Sequence, residues 1–134
     1  LVEQYNANWD GVLVDHDELI QVLTNVLKNS LQAVIENKPV KPKVIIETRS
    51  TDNKLVIDIV DNGVGITEEN QVRLFESHFS TKSPELGTGL GLSISRRFVR
   101  AFHGDLFLVK SEPGVETRFR IELPLHSQNK EAAA

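Results

Sequence analysis

Asn25 and Asn29 lie four residues apart in a run whose apolar spacing is helical. On an ideal helix they share a face, about 40° apart, at the edge of the apolar arc. Asparagine is a mediocre helix former that prefers caps and turns, so a pair in mid-helix suggests a task. An amide oxygen is a hard, neutral ligand. It can hold Mg²⁺ without repelling a triphosphate, and Mg²⁺ takes few protein ligands beside phosphates and water. The competing reading is a solvated face with two ordinary amides, which helices carry at modest cost.

Asp61-x-Gly63-x-Gly65 closes an apolar run. A carboxylate at a strand end can accept from an exocyclic amine such as that of adenine, and glycines let backbone approach a ligand closely. Asp-Asn-Gly is also a strong hairpin signal, although a helix start follows here rather than a strand. Both readings stand on these residues alone. Gly87-Thr88-Gly89-Leu90-Gly91-Leu92 opens a helical run. Such a start frees backbone N–H groups to face an anion, where the helix dipole favours negative charge. A phosphate-binding loop ending Gly-Lys-Ser/Thr is absent, and no strand precedes the glycines as a dinucleotide fingerprint requires. A flexible hinge is the alternative. Leu74-Phe75-Glu76-Ser77-His78-Phe79 places two aromatics four apart, as loop anchors or as core. Lys82 follows, able to reach a phosphate or to stay solvated.

The elements that must position these groups follow from periodicity. Residues 16–36 read as an amphipathic helix with Leu19, Leu23, Val26, Leu27, Ser30, Leu31 and Val34 on one arc. Asp15 or Asp17 caps its start, and Asn37-Lys38-Pro39 breaks it. Residues 43–49 and 55–61 read as a strand pair across the polar turn 50–53. Thr67 caps a short helix that runs to about Glu76, with Glu68 and Glu69 in its first turn. Residues 80–88, polar with Pro84 and Gly87, read as a mobile loop. Residues 89–102 form a third helix that Gly104 ends. Strands over 105–110 and 117–123 flank the turn Glu112-Pro113-Gly114. This order predicts an α+β two-layer sandwich: a mixed, mostly antiparallel sheet covered on one face by three helices.

Composition narrows the classes. The chain has 134 residues, 15 Lys+Arg against 19 Asp+Glu, a net charge of −4, and no Cys or Met. That is one domain with its own core. A mildly acidic chain without a basic tract is a poor nucleic-acid binder. No apolar run approaches the ~20 residues of a membrane helix, so no direct membrane contact is expected. Without cysteine, disulfides and thiolate sites are excluded. The absence of Met suggests a fragment or processed product, and no signal peptide is visible at Leu1. We expect a domain over 1–126 and a flexible tail over 127–134.

Taken together and in order, these segments resemble the C-terminal ATP-binding catalytic domain of sensor histidine kinases, in the Bergerat-fold ATPase/kinase superfamily. The Asn25/Asn29 helix is similar to the N box, DNGVGI to the G1 box, LFESHF to the F box, GTGLGLSIS to the G2 box and GVETRF to the last glycine box. The resemblance covers roughly residues 12–124. The FSTK loop looks most like the nitrogen-regulation subgroup. Two positions depart from the pattern: Ser77 and His78 stand where an aromatic or Pro is common, and Glu116 stands where Gly usually precedes the Thr.

The resemblance implies ATP with Mg²⁺ between the first helix and the loop. Asn29 would hold Mg²⁺ with support from Asn25, and Lys82 would join them at the phosphates. Asp61 would receive the adenine amine. Gly63, Gly65 and Ile66 would line the base pocket, with Phe75 beside it. Gly87, Thr88, Gly89, Leu90, Gly91 and Leu92 would form the phosphate-side lid edge, and Thr117 would join the water network around adenine.

Hydrolytic relatives carry Glu four residues before the Mg²⁺ asparagine, as a base that polarises the attacking group. Here that position is Asn25, which cannot take a proton. The substitution favours phosphoryl transfer to a histidine, whose lone pair needs little help. Of His16, His78, His103 and His126, none is suited as acceptor: His16 opens the ATP-site helix itself, and His78 and His103 read as surface or packing residues. The acceptor is therefore expected on a separate dimerisation domain of the same kinase, with a response-regulator receiver domain downstream, a cytoplasmic location and a monomeric fragment. The alternatives are a nucleotide-gated binding module, with Arg96, Arg97 and Arg100 as its docking face, and a gyrase- or chaperone-like ATPase.

Overall fold

The computed structural model describes residues 2–6, as backbone, together with 15–76 and 91–125. Among the described residues the order is β1 (Val2–Asn6), α1 (His16–Asn37), β2 (Val44–Ser50), β3 (Lys54–Asp61), α2 (Glu68–Gln71), α3 (Gly91–Ala101), β4 (Asp105–Glu112) and β5 (Glu116–Pro124). The sheet order is β1-β2-β3-β5-β4. Strand β1 runs parallel to β2, and the other neighbours are antiparallel. The expected α+β sandwich with a mixed sheet is what forms. Strand β1 is an addition, since periodicity in the sequence did not mark it.

Local chemistry explains the ends of α1. Asp15 is the N-cap and accepts from the Glu18 N–H at 3.1 Å, and Lys38 closes the helix in the left-handed region at φ 50°. The buried face holds Val22, Val26, Ser30 and Val34. It is rotated from the expected arc, leaving Leu31 exposed.

Helix α2 corrects the expectation of a run to Glu76. Thr67 caps it by accepting from the Asn70 N–H, but it stops at Gln71. There the Gln71 amide turns back to donate to the Ile66 carbonyl at 2.8 Å. The next backbone bonds, Arg73 to Asn70 and Glu76 to Arg73, span three residues. They tighten the chain while Leu74 is buried.

Helix α3 ends in a Schellman motif: His103 N–H donates to Arg100 O and Gly104 N–H to Val99 O, both at 3.0 Å. The left-handed residue is His103, at φ 66°, rather than Gly104. Gly104 is needed for space, because a Cβ there would lie 2.1 Å from the Glu122 carbonyl oxygen.

Alternation along the strands builds the core. Leu55, Ile57 and Ile59 of β3, Leu106 of β4 and Phe119, Ile121 and Leu123 of β5 meet Val22 and Val26 of α1 and Val99 of α3. On the reverse face, Asp58 is fully buried. It accepts from Arg120 Nε at 2.8 Å, Arg120 Nη2 at 2.9 Å and Arg118 Nη1 at 2.6 Å.

One buried hydroxyl is out of balance. Ser30 Oγ, in a residue 1% exposed, has no hydrogen-bond partner among the described residues. Alanine removes that desolvated hydroxyl and is the better helix former. Ser30→Ala is therefore expected to stabilise the domain by about 1 kcal/mol, read as a higher denaturant midpoint at unchanged slope.

Candidate functional site

Three adjacent strands bring the polar groups of the site into one row. Asp61 of β3 stands opposite Thr117 of β5, and Thr117 stands opposite Ser111 of β4. Asp61 and Thr117 are buried, at 2% and 4% exposure. Ser111 Oγ and Thr117 Oγ1 are 2.8 Å apart, and the Ile66 N–H donates to Ser111 Oγ at 2.8 Å. Ser111 escaped the sequence reading because of a register shift between Leu108 and Lys110. Up to that point even-numbered residues of β4 face the core; the bulge returns Ser111 to the face of Thr117. Only pairing can reveal this.

The turn after Asp61 is pinned from three sides. Asp61 Oδ1 accepts from the Gly63 N–H at 2.8 Å. Gly63 O accepts from the Gly114 N–H at 2.8 Å, and the Val64 N–H donates to Ala33 O of α1. Asn62 ties the neighbouring backbone by donating to Lys41 O and accepting from the Lys43 N–H. Both glycines are required by packing. A Cβ on Gly63 would fall 2.5–2.7 Å from Ala33 atoms; Gly65 has φ 76° and a Cβ there would meet Pro113 at 2.9 Å. Gly63→Ala should push the turn off α1, costing about 1–3 kcal/mol of stability. A drop in the unfolding midpoint together with weakened nucleotide binding is the expected measurement.

Helix α1 carries the two asparagines beside this turn. Both are half-buried. Asn25 Nδ2 donates to Ser95 Oγ of α3 at 3.1 Å, so the amide is engaged between helices rather than on a solvated face. Asn29 lies one turn further along α1. Its amide oxygen is of the donor type that suits Mg²⁺. Leu92 and Phe75 pack against the core. The Arg96 guanidinium sits over the Phe75 ring, 4.1 Å from its centre, and also donates to Asp105, as does Arg100. Two of the three arginines once available as a docking face are thus committed within the fold.

Asp61, Gly63, Gly65, Ile66 and Thr117 converge at one end of the sheet, and Asn25 meets Gly91 across the helix pair. Phe75 stands apart, in a cleft of about 500 Å³ lined also by Gln71, Val72, Leu74, Glu76, Arg96 and Leu108. Lys82, Gly87, Thr88, Gly89 and Leu90 lie outside the described residues, as do the expected loop, His78 and Phe79, His126 and the tail. No cluster of three or more His, Cys, Asp or Glu residues able to hold a metal occurs among the described residues. None of the described helices is long and apolar enough to cross a membrane.

A buried acid in line with two hydroxyls, a glycine turn locked onto an asparagine-bearing helix, and a second helix fastened to the first define a known class of α+β domain. The chain belongs to the histidine kinase-, DNA gyrase B- and HSP90-like ATPase family, which it matches over residues 14–127. Within that family it is similar to histidine kinases. It is 38% identical over 128 residues to the signal transduction histidine-protein kinase AtoS of Escherichia coli, covering 95% of this chain and 20% of AtoS. It is 34% identical to sporulation kinase C of Bacillus subtilis, covering 96% of this chain and 29% of that kinase. The chain thus spans under a third of either relative. Among solved structures, the catalytic domain of histidine kinase ThkA superposes with a TM-score of 0.74 at 28% identity, over 92% of this chain and 80% of that one. A mycobacterial sensor histidine kinase, MprB, gives 0.71 at 27% identity, over 86% and 77%.

Proposed function

We propose that this domain binds Mg-ATP and donates the γ-phosphoryl group to a histidine on a separate dimerisation domain of the same kinase. Asp61 takes the adenine amine, with Thr117 and Ser111 completing that end of the pocket. Gly63, Gly65 and Ile66 form its wall. Asn29 would hold Mg²⁺, whose charge would offset that of the phosphates, and Lys82 with the glycine-rich segment 87–92 would lie on the phosphate side. The relatives named above are histidine kinases, which supports the reading.

The observation that carries it is the group at position 25. A hydrolytic site needs a carboxylate there to polarise water. Here an amide occupies the place and spends its N–H on Ser95. Such a site positions the nucleotide and leaves the nucleophile to the partner. The incoming imidazole supplies its own lone pair as the bond from the γ-phosphorus to the bridging oxygen breaks and ADP leaves. A response-regulator receiver domain would take the phosphoryl group next, in the cytoplasm. The FSTK segment points to the nitrogen-regulation subgroup.

Labelled ATP incubated with this domain and a separately expressed acceptor domain tests the proposal. Label on the acceptor histidine, with little steady hydrolysis by the domain alone, is expected. Steady hydrolysis without an acceptor would instead identify a gyrase-like ATPase. Nucleotide binding without transfer, where the full kinase labels its histidine, would identify a gated binding module. Asn29→Ala should remove the Mg²⁺-dependent part of the thermal shift given by ATP.

A further inference from the structure

The two helices that flank the proposed phosphate side share a polar contact between Asn25 and Ser95. On α3, Gly91 and Ser95 are four residues apart and face the same way. Asn25 of α1 lies against both. Its Nδ2 donates to Ser95 Oγ at 3.1 Å, and a Cβ on Gly91 would lie 3.9 Å from its Cβ and Cγ. A Cβ at 91 would only touch Asn25 at ordinary contact distance, so the amide is held by the small hydroxyl side chain at 95. Ser95 is 0% exposed. A buried hydroxyl and a half-buried amide satisfy one another there, and each would be costly to leave alone.

Arg100, in the last turn of α3, and Arg96, next to Ser95 at mid-helix, both pair with Asp105 at the start of β4. Leu92 packs against the core at the N-terminal end of the helix. The contact at Asn25 adds a directional polar restraint to this apolar packing. The next turn of α1 carries Asn29, so the same contact sets how far the Mg²⁺-holding amide stands from the first turn of α3.

We infer that Ser95 is a positioning residue for nucleotide binding: by accepting from Asn25 it helps set the separation of α1 and α3 across the phosphate side. This rests on the Mg-ATP reading above. It also assigns Asn25 a structural task on the α3 side, distinct from metal ligation.

A double-mutant cycle on the whole 134-residue chain tests it, with Mg-ATP affinity measured by calorimetry and stability by chemical denaturation. Ser95→Ala should weaken Mg-ATP binding about 3- to 10-fold, the size of one net hydrogen bond. Ser95→Cys, close in size but a poor acceptor, should act in the same direction. Ser95→Ala added to Asn25→Ala should cause no further loss, since the contact is already gone. Unchanged affinity in Ser95→Ala, with or without a change in stability, overturns the inference. So does a Ser95→Ala effect that persists in full on the Asn25→Ala background, because the serine would then act by another route. Failure of the unmodified chain to bind Mg-ATP would count instead against the nucleotide reading, so the two failures are told apart by the first measurement.

Discussion

Asp61→Asn is expected to lower ATP affinity by roughly 10- to 100-fold while the fold survives. The two carboxylate oxygens do different work. Oδ1 accepts from the Gly63 N–H at 2.8 Å and so holds the turn that packs on Ala33. An asparagine oxygen can make the same bond. What the change removes is a second acceptor, replaced by an N–H₂ that would meet the proposed adenine amine donor to donor. Binding of an adenine nucleotide then loses a charge-assisted hydrogen bond and gains a clash of like polarity. Asp61→Ala should do more, because it also strands the buried Gly63 N–H, at a cost of about 1–3 kcal/mol in stability. Calorimetry with ATP and denaturation curves on both variants separate the two effects. Full ATP affinity in the folded Asn variant would remove Asp61 from the proposed adenine site.

The second large effect lies on the opposite face of the sheet. Asp58→Ala should destabilise the domain by about 3–5 kcal/mol. The carboxylate is 0% exposed and accepts from Arg118 and Arg120. Removing it leaves three guanidinium groups, of Arg49, Arg118 and Arg120, crowded on one sheet face, with Arg120 stripped of its close partner. Burial alone would raise the Asp58 carboxyl, but hydrogen bonds from Arg120 and Arg118 outweigh it and hold the group below its ordinary 3.8. The unfolded chain therefore takes up that proton more readily than the folded one. Stability from this group is complete above about pH 4 and is lost as pH falls through the folded value. Denaturant midpoints measured down the acid range should drop steeply for the wild type. The Asp58→Asn slope should be shallower, though not flat. Asp105, where Arg100, Leu106 and Arg96 outweigh burial, and Glu116, held chiefly by Arg118, are lowered in the same direction and keep their share.

Much of this protein was legible before any coordinates. Helical spacing around Asn25 and Asn29, the apolar strands, an aspartate cap at 15 or 17, the Thr67 cap and the DNGVG turn are short-range patterns. Chain geometry forces them on a sequence whatever its neighbours do. The class of chemistry followed from the resemblance that these segments carry in order, and within that class the amide at position 25 favoured transfer over hydrolysis. Elements whose signal depends on their surroundings were read less well. Helix α2 was drawn too long because the Gln71 amide that turns back to Ile66 competes with the next helical turn only in the folded chain. Strand β1 had no periodicity of its own and exists by pairing with β2.

Tertiary structure alone decided the arrangement of the site. Ser111 joins Asp61 and Thr117 because of a bulge in β4, and register is a property of two strands. Gly63 and Gly65 looked free to admit a ligand, yet each is spent on close backbone approach, to Ala33 and to Pro113. Asn25 stands at the edge of the apolar arc on a helical wheel, and the fold turns it to Ser95, seventy residues away. Side-chain type and local spacing state what chemistry a chain can carry; which groups meet depends on contacts distant in sequence, where packing and hydrogen-bond satisfaction act on the whole fold at once.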